Sequence, residues 1–226
     1  MGGYFYKDLN TEELYTLFKR CTEIDYQHAE NSASFAIEKS GRNLYIYLEK
    51  SNGIEDWMNN LDYHSAACRI DDWDFYCHEG FWRVFESLLE AMNSEIQDVF
   101  SGIYESIYIV GYSHGAALAF LLYGYLTKKL SSPDRNRLHK KKPALYGRGF
   151  GCPRVIWGEN GEALRIFKDF ITIRNIDDIV THLPPGFTGY KSYGRLVKIG
   201  AQGRYTPSDA HRAESYLKEL SQWSAT

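Results

Sequence analysis

The stretch that most constrains this chain is Ile107-Tyr108-Ile109-Val110-Gly111-Tyr112-Ser113-His114-Gly115-Ala116-Ala117-Leu118-Ala119. A run of β-branched and aromatic residues leads into Gly-x-Ser-x-Gly, and small residues follow. A strand that reverses sharply into a helix needs residues without a Cβ where the two cross, which Gly111 and Gly115 supply. Such a turn lifts the Ser113 hydroxyl off the end of a sheet and sets it at a helix N-terminus. There, free backbone N–H groups and the helix dipole favour a developing negative charge. Ala116, Ala117 and Ala119 let the helix lie close to the sheet. The pattern calls for strands alternating with helices and marks Ser113 as a nucleophile.

The rest of the chain fits that frame. Short β-rich runs predict strands over Ser34–Glu38, Asn43–Leu48, Ser106–Val110, Ala144–Arg148, Phe170–Arg174 and Arg195–Ile199. Amphipathic spacing predicts helices over Thr11–Arg20, Gly80–Val99, His114–Leu130, Gly161–Lys168 and Asp209–Leu220. The first two strands are near enough to pair antiparallel across Ser40-Gly41, whereas the later ones alternate with helices and require parallel crossovers. With 226 residues and no Pro/Ser/Gly-rich linker, the expectation is one α/β domain over 1–226 with a mixed, mostly parallel sheet. The most loop-like stretch is Ser131 to Pro143, whose run His139-Lys140-Lys141-Lys142 reads as a solvated loop.

A serine nucleophile needs a base, and the base needs an acid to orient it. On α/β sheets with this elbow the acid and then the base follow the serine in the chain. His114 sits in the elbow itself and His139 in the basic loop, which leaves His182 and His211 as bases. The acid falls at the end of a strand, in Arg174-Asn175-Ile176-Asp177-Asp178-Ile179-Val180-Thr181-His182, as Asp177 or Asp178. One of those two is expected to be a turn residue.

These motifs resemble those of the class 3 lipases, the fungal-type triacylglycerol lipase family, over about Asn43 to Leu220. Tyr112-Ser113-His114-Gly115-Ala116-Ala117-Leu118-Ala119 is similar to the family's His-Ser-Leu-Gly-Gly-Ala-Leu-Ala elbow. Gly149-Phe150-Gly151-Cys152-Pro153-Arg154-Val155 resembles its Phe-Gly-x-Pro-Arg-Val stretch. Asp178-Ile179-Val180-Thr181-His182-Leu183-Pro184-Pro185 resembles its Asp-Ile-Val-Pro-x-Leu-Pro-Pro, and Cys77-His78-Glu79-Gly80-Phe81 its Val-His-x-Gly-Phe. The resemblance implies an α/β-hydrolase fold with Ser113, Asp178 and His211 as catalytic triad and His78 outside it. It also implies an oxyanion hole formed by Ser51, through its N–H and hydroxyl, and by the N–H of His114. Two departures stand out: Glu49-Lys50 replaces the family's Arg-Gly, and Tyr112 and His114 flank the nucleophile in place of His and an apolar residue.

Ile54, Trp57, Met58 and Leu61 recur at helical spacing, with Glu55, Asp56, Asn59 and Asn60 opposite them. Asn52 caps such a helix, and Glu55 stands at the reciprocal capping position. The matching family segment is a lid over the site; the other reading is an ordinary surface helix.

Composition closes off other classes. A net charge of −3 gives no basic field for nucleic acid. There is no P-loop, HExxH or EF-hand loop, and Cys152 breaks the dinucleotide fingerprint in Gly147-x-Gly149-x-Gly151. No cofactor and no metal are expected. The partners expected are a lipid or small ester and, transiently, a lipid surface. The longest apolar stretch, Ala116 to Leu126, is interrupted by Gly124 and too short to span a bilayer. Residues 1–8 lack the pattern of a secretory signal, and Cys21, Cys68, Cys77 and Cys152 read as reduced thiols, so the expected location is cytoplasmic, with signal-independent export or a trimmed mature secreted form as the alternatives. The expected activity is hydrolysis of acylglycerols or related lipid esters by an acyl-enzyme route. The alternatives are a phospholipase or short-chain esterase on the same fold, or a silent lipase-like binding protein.

Overall fold

The computed structural model describes residues 9–28, 33–49, 63–132 and 141–223. Its strands are β1 (Gln27–His28), β2 (Ser34–Ser40), β3 (Asn43–Leu48), β4 (Ser65–Ile70), β5 (Trp73–His78), β6 (Ser106–Tyr112), β7 (Ala144–Phe150), β8 (Ile156–Trp157), β9 (Ile171–Asn175), β10 (Tyr190–Lys191) and β11 (Arg195–Ile199). The α-helices are α1 (Thr11–Glu23), α2 (Glu79–Ala91), α3 (Asn93–Val99), α4 (His114–Ser131), α5 (Gly161–Ile166), α6 (Pro207–Ala210) and α7 (Ala213–Trp223).

Among the described residues seven strands form the main sheet, in the order β1-β2-β3-β6-β7-β9-β11. The first two pairings are antiparallel, and β3, β6, β7, β9 and β11 run parallel. The hairpin expected across Ser40-Gly41 is present, with Ser40 opposite Asn43. Alternation along the strands sorts the apolar residues into two cores. Leu44, Ile46, Ile107 and Ile109 face α2 and α4, while Tyr47, Val110, Tyr112, Ile173 and Val197 face α1 and α7. Helix α4 is buried on nearly every side, as its Ala-rich start allows. The parallel strands end at one edge of the sheet, and β6 delivers Ser113 there.

The structure adds one hairpin that was not expected and corrects two helices. The stretch Ser65–His78 forms an antiparallel hairpin that joins β8 and β10 in a second, four-stranded sheet. Burial alternates along most of it, but Ala, Cys and His fill several of its positions and are weak strand formers, which hid the signal. The single helix expected over Gly80–Val99 divides at Met92, a fully buried residue that leaves helical geometry at ψ 17°. The last helix divides at His211. The Tyr112 hydroxyl donates to the His211 carbonyl, the acceptor a continuous helix would offer to the N–H of Ser215, and Ser215 bonds Arg212 instead.

Candidate active site

Ser113 has φ +59° and ψ −122°, a strained conformation for a residue with a side chain. Close packing enforces it. A Cβ on Gly111 would lie 2.1 Å from the Gly115 carbonyl oxygen, and one on Gly115 would lie 2.1 Å from that of Leu48. The elbow thus wedges between β3 and the start of α4, and the Ser113 N–H is fixed on the Phe150 carbonyl at 2.8 Å.

His211 reaches this serine across 98 residues of sequence: its Nε2 lies 2.8 Å from Ser113 Oγ. Its Nδ1 lies 2.8 Å from Asp178 Oδ2. All three side chains are buried, Ser113 and Asp178 completely. Asp178 follows β9 in a tight turn, where its Oδ1 accepts from the Val180 N–H at 2.9 Å and its carbonyl from the Thr181 hydroxyl at 2.9 Å. Tyr216 Oη donates to Asp178 Oδ2 at 2.6 Å and accepts from the Asn175 N–H at 3.1 Å. Asn175 Nδ2 in turn holds the Ala210 carbonyl at 3.1 Å, just before His211. The Tyr112 ring stacks on the imidazole, with centroids 5.4 Å apart. Imidazole and carboxylate are therefore each gripped from two sides, which is what rigid orientation of a proton acceptor requires.

The neighbouring Asp177 does different work. Its carboxylate accepts from the N–H groups of Gly203, Arg204 and Tyr205 at 2.9–3.1 Å, so it is the turn residue of the pair. Those bonds, above all from Gly203 and Tyr205, hold it below the usual carboxylate range. His182 lies away from this chain of bonds. Its carbonyl accepts from Arg154, and burial with Arg174 and Arg154 nearby lowers its pKa.

His114 opens α4, so its backbone N–H belongs to the first turn of a helix. Its ring is buried, 5.6 Å from Phe81 by centroids, and its Nδ1 has no hydrogen-bond partner among the described residues. Burial, with His78 nearby, pushes its pKa down to about 4, so the ring is neutral at pH 7. His78 packs against Phe81, with ring centroids 4.5 Å apart and planes tilted by 35°. Cys152 is buried, its thiol pushed up to about 12 by desolvation, and it offers no thiolate near neutrality. Ser51, expected in the oxyanion hole, and the lid residues Ile54, Trp57, Met58 and Leu61 lie outside the described residues. Among the described residues no cluster of three His, Cys, Asp or Glu side chains is arranged to hold a metal. No described helix is long and apolar enough to cross a membrane.

Tyr216 was missed as a site residue, although its place five residues after His211 was visible. Asn175 carried no signal, because its contacts are made by chain distant in sequence.

The class 3 lipase family model matches residues 45–188, well over half of the chain. The chain belongs to the class 3 lipase family. A secreted mono- and diacylglycerol lipase of Malassezia globosa is 24% identical over 179 residues, covering 70% of this chain and 54% of that protein. This class 3 lipase chain thus spans about half the length of the curated relative it matches. The triacylglyceride lipase of Rhizomucor miehei superposes with a TM-score of 0.66 at 18% identity, over 86% of this chain and 81% of that one. Lipase II of Rhizopus niveus gives 0.67 at 17% identity, over 85% and 83%. The fold is the α/β-hydrolase fold of these lipases. The cytoplasmic location expected from sequence is overturned by the Malassezia relative, which is secreted and points outside the cell. That expectation rested on the first residues and on cysteine spacing, neither of which is a property of the fold.

Proposed function

We propose that this chain is a serine ester hydrolase of the lipase type, working outside the cell on acylglycerols or related lipid esters. The observation that carries the reading is the unbroken line of hydrogen bonds from Ser113 Oγ through His211 to Asp178, beginning on a strained elbow. Family membership and the Malassezia relative's description as a mono- and diacylglycerol lipase support the substrate class.

In this reading Ser113 Oγ attacks the ester carbonyl as His211 Nε2 takes its proton. Asp178 holds the Nδ1 proton and stabilises the imidazolium, and Tyr216 keeps the carboxylate aimed. The tetrahedral oxyanion forms at the N-terminus of α4, against the His114 N–H, with Ser51 as second donor. Collapse expels the alcohol, which takes the proton from His211. Water, activated by the same imidazole, then releases the acid from Ser113.

Initial rates on p-nitrophenyl esters from acetyl to palmitoyl, with Ser113→Ala alongside, test this. Hydrolysis confined to the wild type, with its optimum on medium or long acyl chains, is expected. Folded wild-type protein that hydrolyses none of them would refute the reading, and an optimum at acetyl would make it a short-chain esterase.

A further inference from the structure

The hairpin β4–β5 carries Cys68 and Cys77 on its inward face, among Ile70, Trp73 and Phe75. Cys68 is opposite Phe75 and Cys77 opposite Ala66, so the two cysteines are diagonal neighbours. Their sulfurs are 3.0 Å apart. Carbon atoms in van der Waals contact stand about 3.5–4.0 Å apart, and sulfur is larger than carbon. Either thiol could donate a proton to the other, but an S–H···S hydrogen bond sets two sulfurs farther apart than this, and each thiol also has a carbonyl within reach: that of Ala66 at 3.3 Å for Cys68 and that of His78 at 3.7 Å for Cys77. Cys21 and Cys152, by contrast, meet oxygen and no second sulfur among the described residues: Cys21 the Tyr26 hydroxyl and the Leu48 carbonyl, and Cys152 the Pro153 carbonyl.

We propose that Cys68 and Cys77 are a cross-linking site, joined by a disulfide when the chain folds in an oxidising compartment. The oxidant is a low-molecular-weight disulfide such as oxidised glutathione. One cysteine thiolate attacks it, forming a mixed disulfide and releasing one glutathione thiolate. The second cysteine thiolate attacks the protein sulfur of that mixed disulfide and expels the other glutathione. The cysteines lose two electrons and two protons, and the glutathione disulfide becomes two thiols. Diagonal strand partners stand about 7–8 Å apart, just beyond the span a disulfide ordinarily bridges, so closing the bond draws the strands together by on the order of 1 Å. Cys77 is fully buried and Cys68 nearly so. Cys68 beside it, and burial, hold the Cys77 thiol protonated once packed. Exchange therefore precedes packing of the hairpin, and afterwards the same burial shields the bond from reductants. The bond fastens the strand that ends at His78, whose ring packs on Phe81 beneath His114.

The test refolds wild-type protein from denaturant in a glutathione redox buffer, then denatures, alkylates and maps it by mass spectrometry. The expected map shows Cys21 and Cys152 alkylated and one peptide pair linking Cys68 to Cys77, with the loss of two hydrogens. The bond should resist dithiothreitol until denaturant is added. Four alkylated cysteines, or a link to Cys21 or Cys152, would overturn the proposal. The map needs no variant, and it reads the same whether or not Ser113 turns over an ester. Cys68→Ser/Cys77→Ser should melt about 5 °C below the cross-linked protein, and an unchanged melting point in a protein that maps as linked would remove the stabilising role.

Discussion

Replacing His114 by leucine should take a pH dependence out of the stability of the fold. The ring is buried beside Phe81 and His78, and its pKa is pushed down to about 4 by that burial. In the unfolded chain the imidazole titrates near 6.5. Between these values the unfolded state binds the proton more readily than the folded one. Stability from this group is therefore complete above about pH 6.5 and is lost as pH falls toward 4. Integrating between pH 7.5 and 5 gives a loss of about 2 kcal/mol attributable to His114. With a urea dependence on the order of 3 kcal/mol per molar, the unfolding midpoint moves by about 0.7 M. Other groups titrate over the same range, so the quantity to compare is the difference between wild type and His114→Leu at each pH. Leucine is apolar and of similar bulk, so the site stays filled. Urea unfolding followed by tryptophan fluorescence should show the wild-type midpoint falling by about 0.7 M more than that of the variant. Equal falls in the two proteins would refute the claim that this ring is held neutral by burial.

Tyr216→Phe removes a donor from Asp178 Oδ2, so kcat should fall about tenfold with KM little changed, and restoring the hydroxyl should restore the rate. A drop in KM affinity alone would place Tyr216 in substrate binding instead. Asp177→Asn should destabilise the protein at pH 7 through the lost carboxylate bonds to residues 203–205. Because that carboxyl's pKa is lowered in the fold, its contribution is present above about pH 4 and lost as pH falls through the lowered value. Wild type and variant should converge in urea midpoint in acid, and a constant gap would contradict this. Gly115→Ala places a methyl 2.1 Å from the Leu48 carbonyl oxygen and should yield no native-like protein by circular dichroism.

How much of this was legible in the sequence differed by element. The elbow was legible because its physics is local: two glycines, a serine and small residues must be contiguous for a strand to turn into a buried helix. Strands β3 and β11 were read to the residue, since β-branched and aromatic runs in a parallel sheet carry little ambiguity. The hairpin β4–β5 was missed because Ala, Cys and His are weak strand formers, and its pairing with β8 and β10 is long-range. The choice between Asp177 and Asp178 was also beyond local reading. Both carboxylates stand at the same strand end, so the preference for Asp178 came from the family resemblance alone; in the folded chain Asp178 meets His211 and Asp177 caps residues 203–205. The division of the last helix at His211 depended on Tyr112, a residue 99 positions away. Location was misread because it is not encoded in the packing at all.

The most direct test of the central claim is active-site labelling with a fluorophosphonate, mapped by mass spectrometry and run beside hydrolysis of a long-chain p-nitrophenyl ester. One phosphonyl group on Ser113, with hydrolysis lost in proportion to labelling and both absent from a Ser113→Ala protein of unchanged melting point, is the expected result. A folded wild-type protein that takes no label at Ser113, or a Ser113→Ala protein that still hydrolyses the ester at the wild-type rate, would contradict the account.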